Sequence, residues 1–179
     1  MTSWLNQRSA VVNDSAVGIN LSAPSSGANV NVTARYMAAP SPPYTIKALI
    51  AATRNSTSFS SVGIGWYDGS SKLHVISYVT QSGGAPYFQV QKFNSVTSWN
   101  SNDFQSASNA FAQPIWLQMK DDGTNVSFAF SQDGANFLEL FSVAKSSGFL
   151  GSGGYSNVAF YVNPQGGQTL GTLMSWTQN

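Results

Sequence analysis

Cysteine is absent from the chain, so neither a disulfide nor a thiolate metal site can brace the fold. Charge is scarce: Asp, Glu, Lys and Arg make up 8% of 179 residues, against about 25% in ordinary globular proteins. The eight basic residues are scattered among seven acidic ones for a net charge of +1. That leaves no basic stripe to follow phosphates, and nucleic acid is not expected as a partner. No apolar run approaches the roughly 18 residues of a membrane-spanning helix, and MTSWLNQRSAVVND lacks the basic-then-apolar order of a secretion signal. A soluble protein without membrane contact is the expectation. No repeat of fixed period is present, which argues against a propeller or solenoid.

What the chain does have is a period of two. Val30, Val32, Ala34 and Tyr36 alternate with Asn29, Asn31, Thr33 and Arg35, the pattern of a half-buried strand. Comparable runs lie near Ala16–Leu21, Tyr44–Ala52, Val62–Tyr67, Lys72–Thr80, Tyr87–Phe93, Ile115–Lys120, Thr124–Ser131, Phe137–Val143, Asn157–Asn163 and Leu170–Trp176, giving eleven expected strands. Turn signals separate them: Asp68-Gly69, Gly83-Gly84, Asp122-Gly123, Asp133-Gly134, Gly153-Gly154 and Gly166-Gly167. No segment reads as a long helix. The expected class is therefore all-β, one antiparallel β-sandwich domain over residues 1–179. The Ser- and Asn-rich stretch Asn94–Gln113 lacks clean alternation and is expected to be a long loop of functional interest. A surface made soluble by Ser, Thr, Asn, Gln and Gly rather than by charge points to an extracellular or virion-associated setting.

From Trp116 onward the pattern becomes more particular. Ile115, Leu117 and Met119 face inward, Asp122-Gly123 turns the chain, Val126, Phe128 and Phe130 return inward, and "SQDGANF" turns again. With the late strand "NVAFYVN" and the terminal "LMSW", this region resembles the concanavalin A-like lectin/glucanase (laminin G-like) jelly roll. The resemblance implies two packed antiparallel sheets. It also places the chain among lectins, glycan-binding modules, glycoside hydrolases, polysaccharide lyases and phage tail domains.

Residue chemistry narrows these classes. Glycosidases work with two carboxylates across the scissile bond, yet the single glutamate, Glu139, cannot build the Glu-x-Asp-x-x-Glu pattern of the resembling glucanases. Asp68, Asp122 and Asp133 each precede glycine and are explained by turn geometry, type I′ in the case of Asp133. The only histidine, His74 in "KLHVISY", does not match the Gln-x-His strand of the resembling lyases. It is expected to be an exposed strand residue or ligand donor. No catalytic residue is assigned, and the chain is read as noncatalytic. No cofactor is required. Calcium is the candidate, since lectins of the resembling superfamily hold it on rim loops, and Asp103 with Asn100 and Asn102 is the nearest such cluster.

The hairpins between Val62 and Phe93 suggest a binding face. A turn over Asp68–Ser71 would set Tyr67 opposite Lys72 and Gly65 opposite His74, because opposed residues share a face. That register gathers Tyr67, His74, Tyr78, Tyr87, Gln89 and Gln91 on an open face beside Gly63 and Gly65. It sends Ile64, Trp66, Leu73, Val75 and Val79 to the core. Trp99 offers a second aromatic platform. Rings for the apolar side of a pyranose and amides for its hydroxyls are what a neutral glycan needs. A glycan or polysaccharide is the expected partner. The alternatives are a structural virion or assembly domain that uses the same face between subunits of a homo-oligomer, and an unconventional lyase or hydrolase.

Overall fold

The protein is described by a computed structural model covering residues 1–27, 29–53, 59–80, 85–107 and 112–179. Fourteen antiparallel strands build two seven-stranded sheets, with no helix among the described residues. The first sheet runs, edge to edge, β1 (Ser3–Leu5), β4 (Thr33–Ala38), β13 (Asn157–Asn163), β6 (Ser60–Tyr67), β7 (Leu73–Thr80), β8 (Tyr87–Ser95) and β9 (Ser98–Gln105). The second runs β12 (Leu138–Ala144), β11 (Asn125–Ser131), β10 (Ile115–Asp121), β5 (Tyr44–Thr53), β14 (Thr169–Gln178), β3 (Gly18–Ala23) and β2 (Val11–Ser15). This is the all-β sandwich expected from the alternation.

The core lies between the sheets. Ile46, Ala48 and Ile50 of β5, Leu117 and Met119 of β10 and Phe128 of β11 pack against Ile64, Trp66, Ile76, Phe88, Val90 and Phe160 of the first sheet. Trp66 buries its ring here because its one polar atom is satisfied: Nε1 donates to the Tyr44 hydroxyl at 2.8 Å. The meander of β10, β11 and β12 forms as expected, with Leu117 opposite Phe130 and Val126 opposite Val143. The C-terminal strand closes the sheet between β5 and β3.

A second apolar cluster sits on the outer side of the first sheet. It joins Val32, Ala34, Tyr67, Leu73, Val75, Phe93, Ala159 and Tyr161. The chain that covers it is pinned by Val32 N–H donating to Val96 O at 2.7 Å and by Asn6 Nδ2 donating to Val32 O at 2.8 Å. Half of this outer face is thus closed, and only the remainder can meet a ligand.

Three strands escaped the periodicity. Short β1 and polar β2 carry too few apolar residues to alternate, and β9 lies inside the stretch expected to be a loop. The pairing of β9 with β8 shifts register between Val90 and Gln91, between Lys92 and Phe93, and between Phe93 and Ser95. Each bulge resets which residue faces inward, so the period of two is erased although the strand persists. The Asp-Gly turns also differ from expectation. Asp68, Asp122 and Asp133 are not among the positive-φ residues, whereas Gly69, Gly123 and Gly134 are (φ 84°, 95° and 75°). A type I′ turn needs positive φ at both positions; here each aspartate instead caps the turn with its carboxylate. Asp133 Oδ1 accepts from the N–H groups of Ala135 and Asn136 at 2.9 and 2.8 Å.

Candidate functional site

The β6–β7 turn decides which side chains face outward. Asp68 Oδ1 accepts from the N–H groups of Ser70, Ser71 and Lys72 at 2.8, 2.8 and 3.0 Å, and Asp68 N–H donates to Lys72 O. The turn therefore takes one residue more than expected. Leu73, not Lys72, stands opposite Tyr67, and Trp66, not Gly65, stands opposite His74. A slip of one residue turns a strand over. His74 and Tyr78, expected on the open face, point into the sandwich, while Leu73, Val75 and Val79, expected in the core, lie on the outer face. Strand β8 keeps its expected side, because Tyr87, Gln89 and Gln91 now oppose Val79, Ser77 and Val75, but at 2%, 7% and 8% exposure they are buried rather than open as expected.

His74 is corrected from an exposed donor to a buried residue, 0% exposed. Its ring meets Phe128 and Phe141 edge-on at 5.1 and 5.4 Å. Nε2 lies 3.0 Å from Asp103 Oδ2 without the alignment of a hydrogen bond, and Nδ1 has no partner. Lys92 Nζ pairs with the other oxygen of Asp103. Burial pushes the His74 pKa below its ordinary 6.5, against the opposing pull of Asp103, so the imidazole is neutral at neutral pH. Asp103 is held below the usual carboxylate range by His74 and Lys92, despite a desolvation that acts the other way. Tyr78, 3% exposed, belongs to the main core. Its replacement by Ala would open a cavity rather than trim a surface.

The two glycines of β6 have another purpose than a clear floor. A Cβ on Gly63 would lie 2.0 Å from Ile76 O, and one on Gly65 would lie 2.4 Å from His74 O and 2.6 Å from Val75 Cγ1. They let β6 and β7 approach, and Val75 fills the space above. Tyr67 remains on the outer face but is packed edge-on against Tyr36 at 5.1 Å within the covered cluster.

What stays open is a cleft of about 450 Å3 over the ends of β6, β7 and β8 and along β9. Tyr87, Gln89, Gln91 and Trp99, four of the residues expected to bind ligand, line it together. Ser61, Phe59, Asn102, Gln105, Asn163 and Gln165 line it too and were not anticipated as ligand contacts. Trp99 and Phe59 are 48% and 52% exposed. Gln89 Nε2 donates to Gln105 Oε1 at 2.7 Å, Asn102 Nδ2 donates to the same oxygen at 3.3 Å, and Trp99 Nε1 donates to Asn102 Oδ1 at 3.3 Å. Below them, Gln91 Oε1 accepts from Ser77 Oγ at 2.8 Å and from the Tyr161 hydroxyl at 3.3 Å. That commits the Gln91 carbonyl to the floor of the cleft. No charged side chain lines the cleft among the described residues.

The signal that could have found Asn102 and Gln105 was hidden by the bulges of β9. The cluster considered for calcium is split: Asp103 turns inward to His74 and Lys92, Asn100 Nδ2 donates to Asn94 Oδ1 at 3.0 Å, and Asn102 faces the cleft. Among the described residues no three of His, Cys, Asp and Glu converge as metal ligands.

No sequence-family profile and no curated protein matches the chain. Solved structures do. A protein of unknown function from Saccharomyces cerevisiae aligns with TM-score 0.64 at 12% identity, over 99% of this chain and 95% of that one. The exoplasmic/lumenal domain of VIP36, in its Ca2+/Man-bound form, aligns with TM-score 0.60 at 7% identity, over 95% of this chain and 80% of that one. An engineered GH43 glycoside hydrolase with endo-xylanase and exo-arabinofuranosidase activity gives TM-score 0.62 at 14% identity, over 95% of this chain; the chain spans only 36% of the enzyme. Identities this low show the fold alone. The chain has the concanavalin A-like sandwich fold, which it shares with lectins and with carbohydrate-active enzymes.

Proposed function

We propose that the chain is a noncatalytic carbohydrate-recognition domain whose site is the outer-face cleft between Phe59 and Trp99. The observation that supports this most is the composition of the cleft: exposed aromatic rings beside a linked set of side-chain amides, Gln89, Gln105 and Asn102, with Gln91 in the floor. Aromatic faces cover the C–H side of a sugar ring. Amides prearranged by hydrogen bonds to one another meet its hydroxyls at low ordering cost.

The noncatalytic part of the reading draws on the same residues. Neither a carboxylate nor a histidine lines the cleft among the described residues, and the one histidine is neutral and sealed in the core. Glycoside hydrolysis usually relies on a carboxylate pair; Tyr87, the one titratable group lining the cleft among the described residues, is 2% exposed and its pKa is raised by burial, which ill suits it to act as a base.

Trp99→Ala tests the assignment. The ring is half exposed on an edge strand, so its loss should change stability by no more than about 0.5 kcal/mol. Binding on a glycan array should be lost while the melting temperature holds. If Trp99→Ala binds as wild type does, the cleft is not the site.

A further inference from the structure

The cleft does not end at Gln165. A second, shallower cavity of about 580 Å3, lined by Ser26, Asn29, Val30, Asn31, Thr97 and Gln165, adjoins the first and shares Val30 and Gln165 with it. Hydrogen bonds hold the described residues beside it. Asn31 N–H donates to Asn163 Oδ1 at 3.0 Å, Ser26 Oγ donates to Asn29 O at 2.9 Å, and Gly27 N–H donates to Ser25 Oγ at 3.2 Å. Like the first cavity, it has no charged lining residue among those described; Arg54 lies outside the described residues.

From this continuity we infer that the site takes an uncharged polysaccharide along its length, an internal run of sugar units rather than a chain end. The inference rests on the carbohydrate reading of the cleft. Length follows from adjacency: the two cavities meet at Val30 and Gln165, so a chain seated in one has the other next to it. Neutrality follows from the lining. A uronate or sulfated chain taken out of water is best offset by a cation, and Lys92, the cation of β8, is paired with Asp103.

The test is calorimetry with wild type, Trp99→Ala and Asn29→Ala. The probes are xylo-, manno- and cello-oligosaccharides of two to six units, their borohydride-reduced forms, and hexamers of mannuronate and guluronate, each at low and high salt. A neutral hexamer should bind at least about tenfold tighter than its dimer, whether or not its end is reduced, with little response to salt. Asn29→Ala should weaken the hexamer and spare the dimer. Equal affinity for dimer and hexamer, or salt-sensitive binding of the uronates, each abolished by Trp99→Ala, would overturn the inference while leaving the carbohydrate site standing. Loss of affinity on reducing the chain end would overturn it likewise. Wild type that binds none of the probes would remove both readings.

Discussion

His74 shows how a single side chain can mislead. The expected hairpin register set it on an open face, yet the ring is wedged among Phe128, Phe141 and Phe149, and the pKa is lowered by burial. The direction fixes the sign of a pH effect. A group that folding keeps neutral leaves stability intact above its unfolded pKa near 6.5, and stability is lost as the pH falls from there toward the lower folded value. Because His74 is the only histidine, the decline between pH 7 and 5 should disappear in His74→Phe, whose ring suits the same aromatic surroundings. In wild type the slope is bounded by one proton, about 1.4 kcal/mol per pH unit. Urea unfolding at a series of pH values measures it; an equal slope in the variant would assign the titration elsewhere.

At the scale of strands, pattern and turn carried different amounts of information. The alternation of β5, β10 and β11 was legible because one face of each turns to the core, so Leu117, Met119, Val126 and Phe128 could be placed there from sequence. Strand β7 was not, because both of its faces are buried: Leu73 and Val75 under the second cluster, Ile76 and Tyr78 under the first. Its orientation then depended on the length of one turn, which Asp68 extends by capping Lys72 N–H. Tyr87, Gln89 and Gln91 kept their expected side because β8 did not turn over, although they are buried rather than open, and Trp99 is exposed. The rest was unreadable: Asn102 and Gln105 lie on a bulged strand, and Asn163 and Gln165 reach the cleft from far along the chain. The close approach of β6 and β7 gives a prediction at this scale. Gly63→Ala would set a methyl against the backbone of Ile76, where nothing flexible can yield, and should cost about 1–3 kcal/mol. Thermal melting checks it, and an unchanged melting temperature would mean that the strands are not so closely apposed.

Taken whole, the first sheet keeps the charged groups of β7, β8 and β9 apart from the outer-face cleft. Lys92, Asp103 and His74 are turned inward from β7, β8 and β9, while the outward residues of β8 and β9 present amides and rings to the cleft. The second cluster closes one half of the outer face with apolar packing and leaves the other half open. A surface with so little charge does not steer ligands over long distances; recognition falls to contacts inside the groove. The measurement that bears most directly on this account is an amide-detected NMR titration of wild type with a neutral oligosaccharide from the panel. The indole N–H of Trp99 and the side-chain N–H2 groups of Gln89, Gln91, Asn102 and Gln105 should shift together and saturate at one dissociation constant, while the exposed Val11, Val17 and Ile19 on the opposite sheet stay still. Saturable shifts confined to β2 and β3, with Trp99 and the glutamines unmoved, would contradict it.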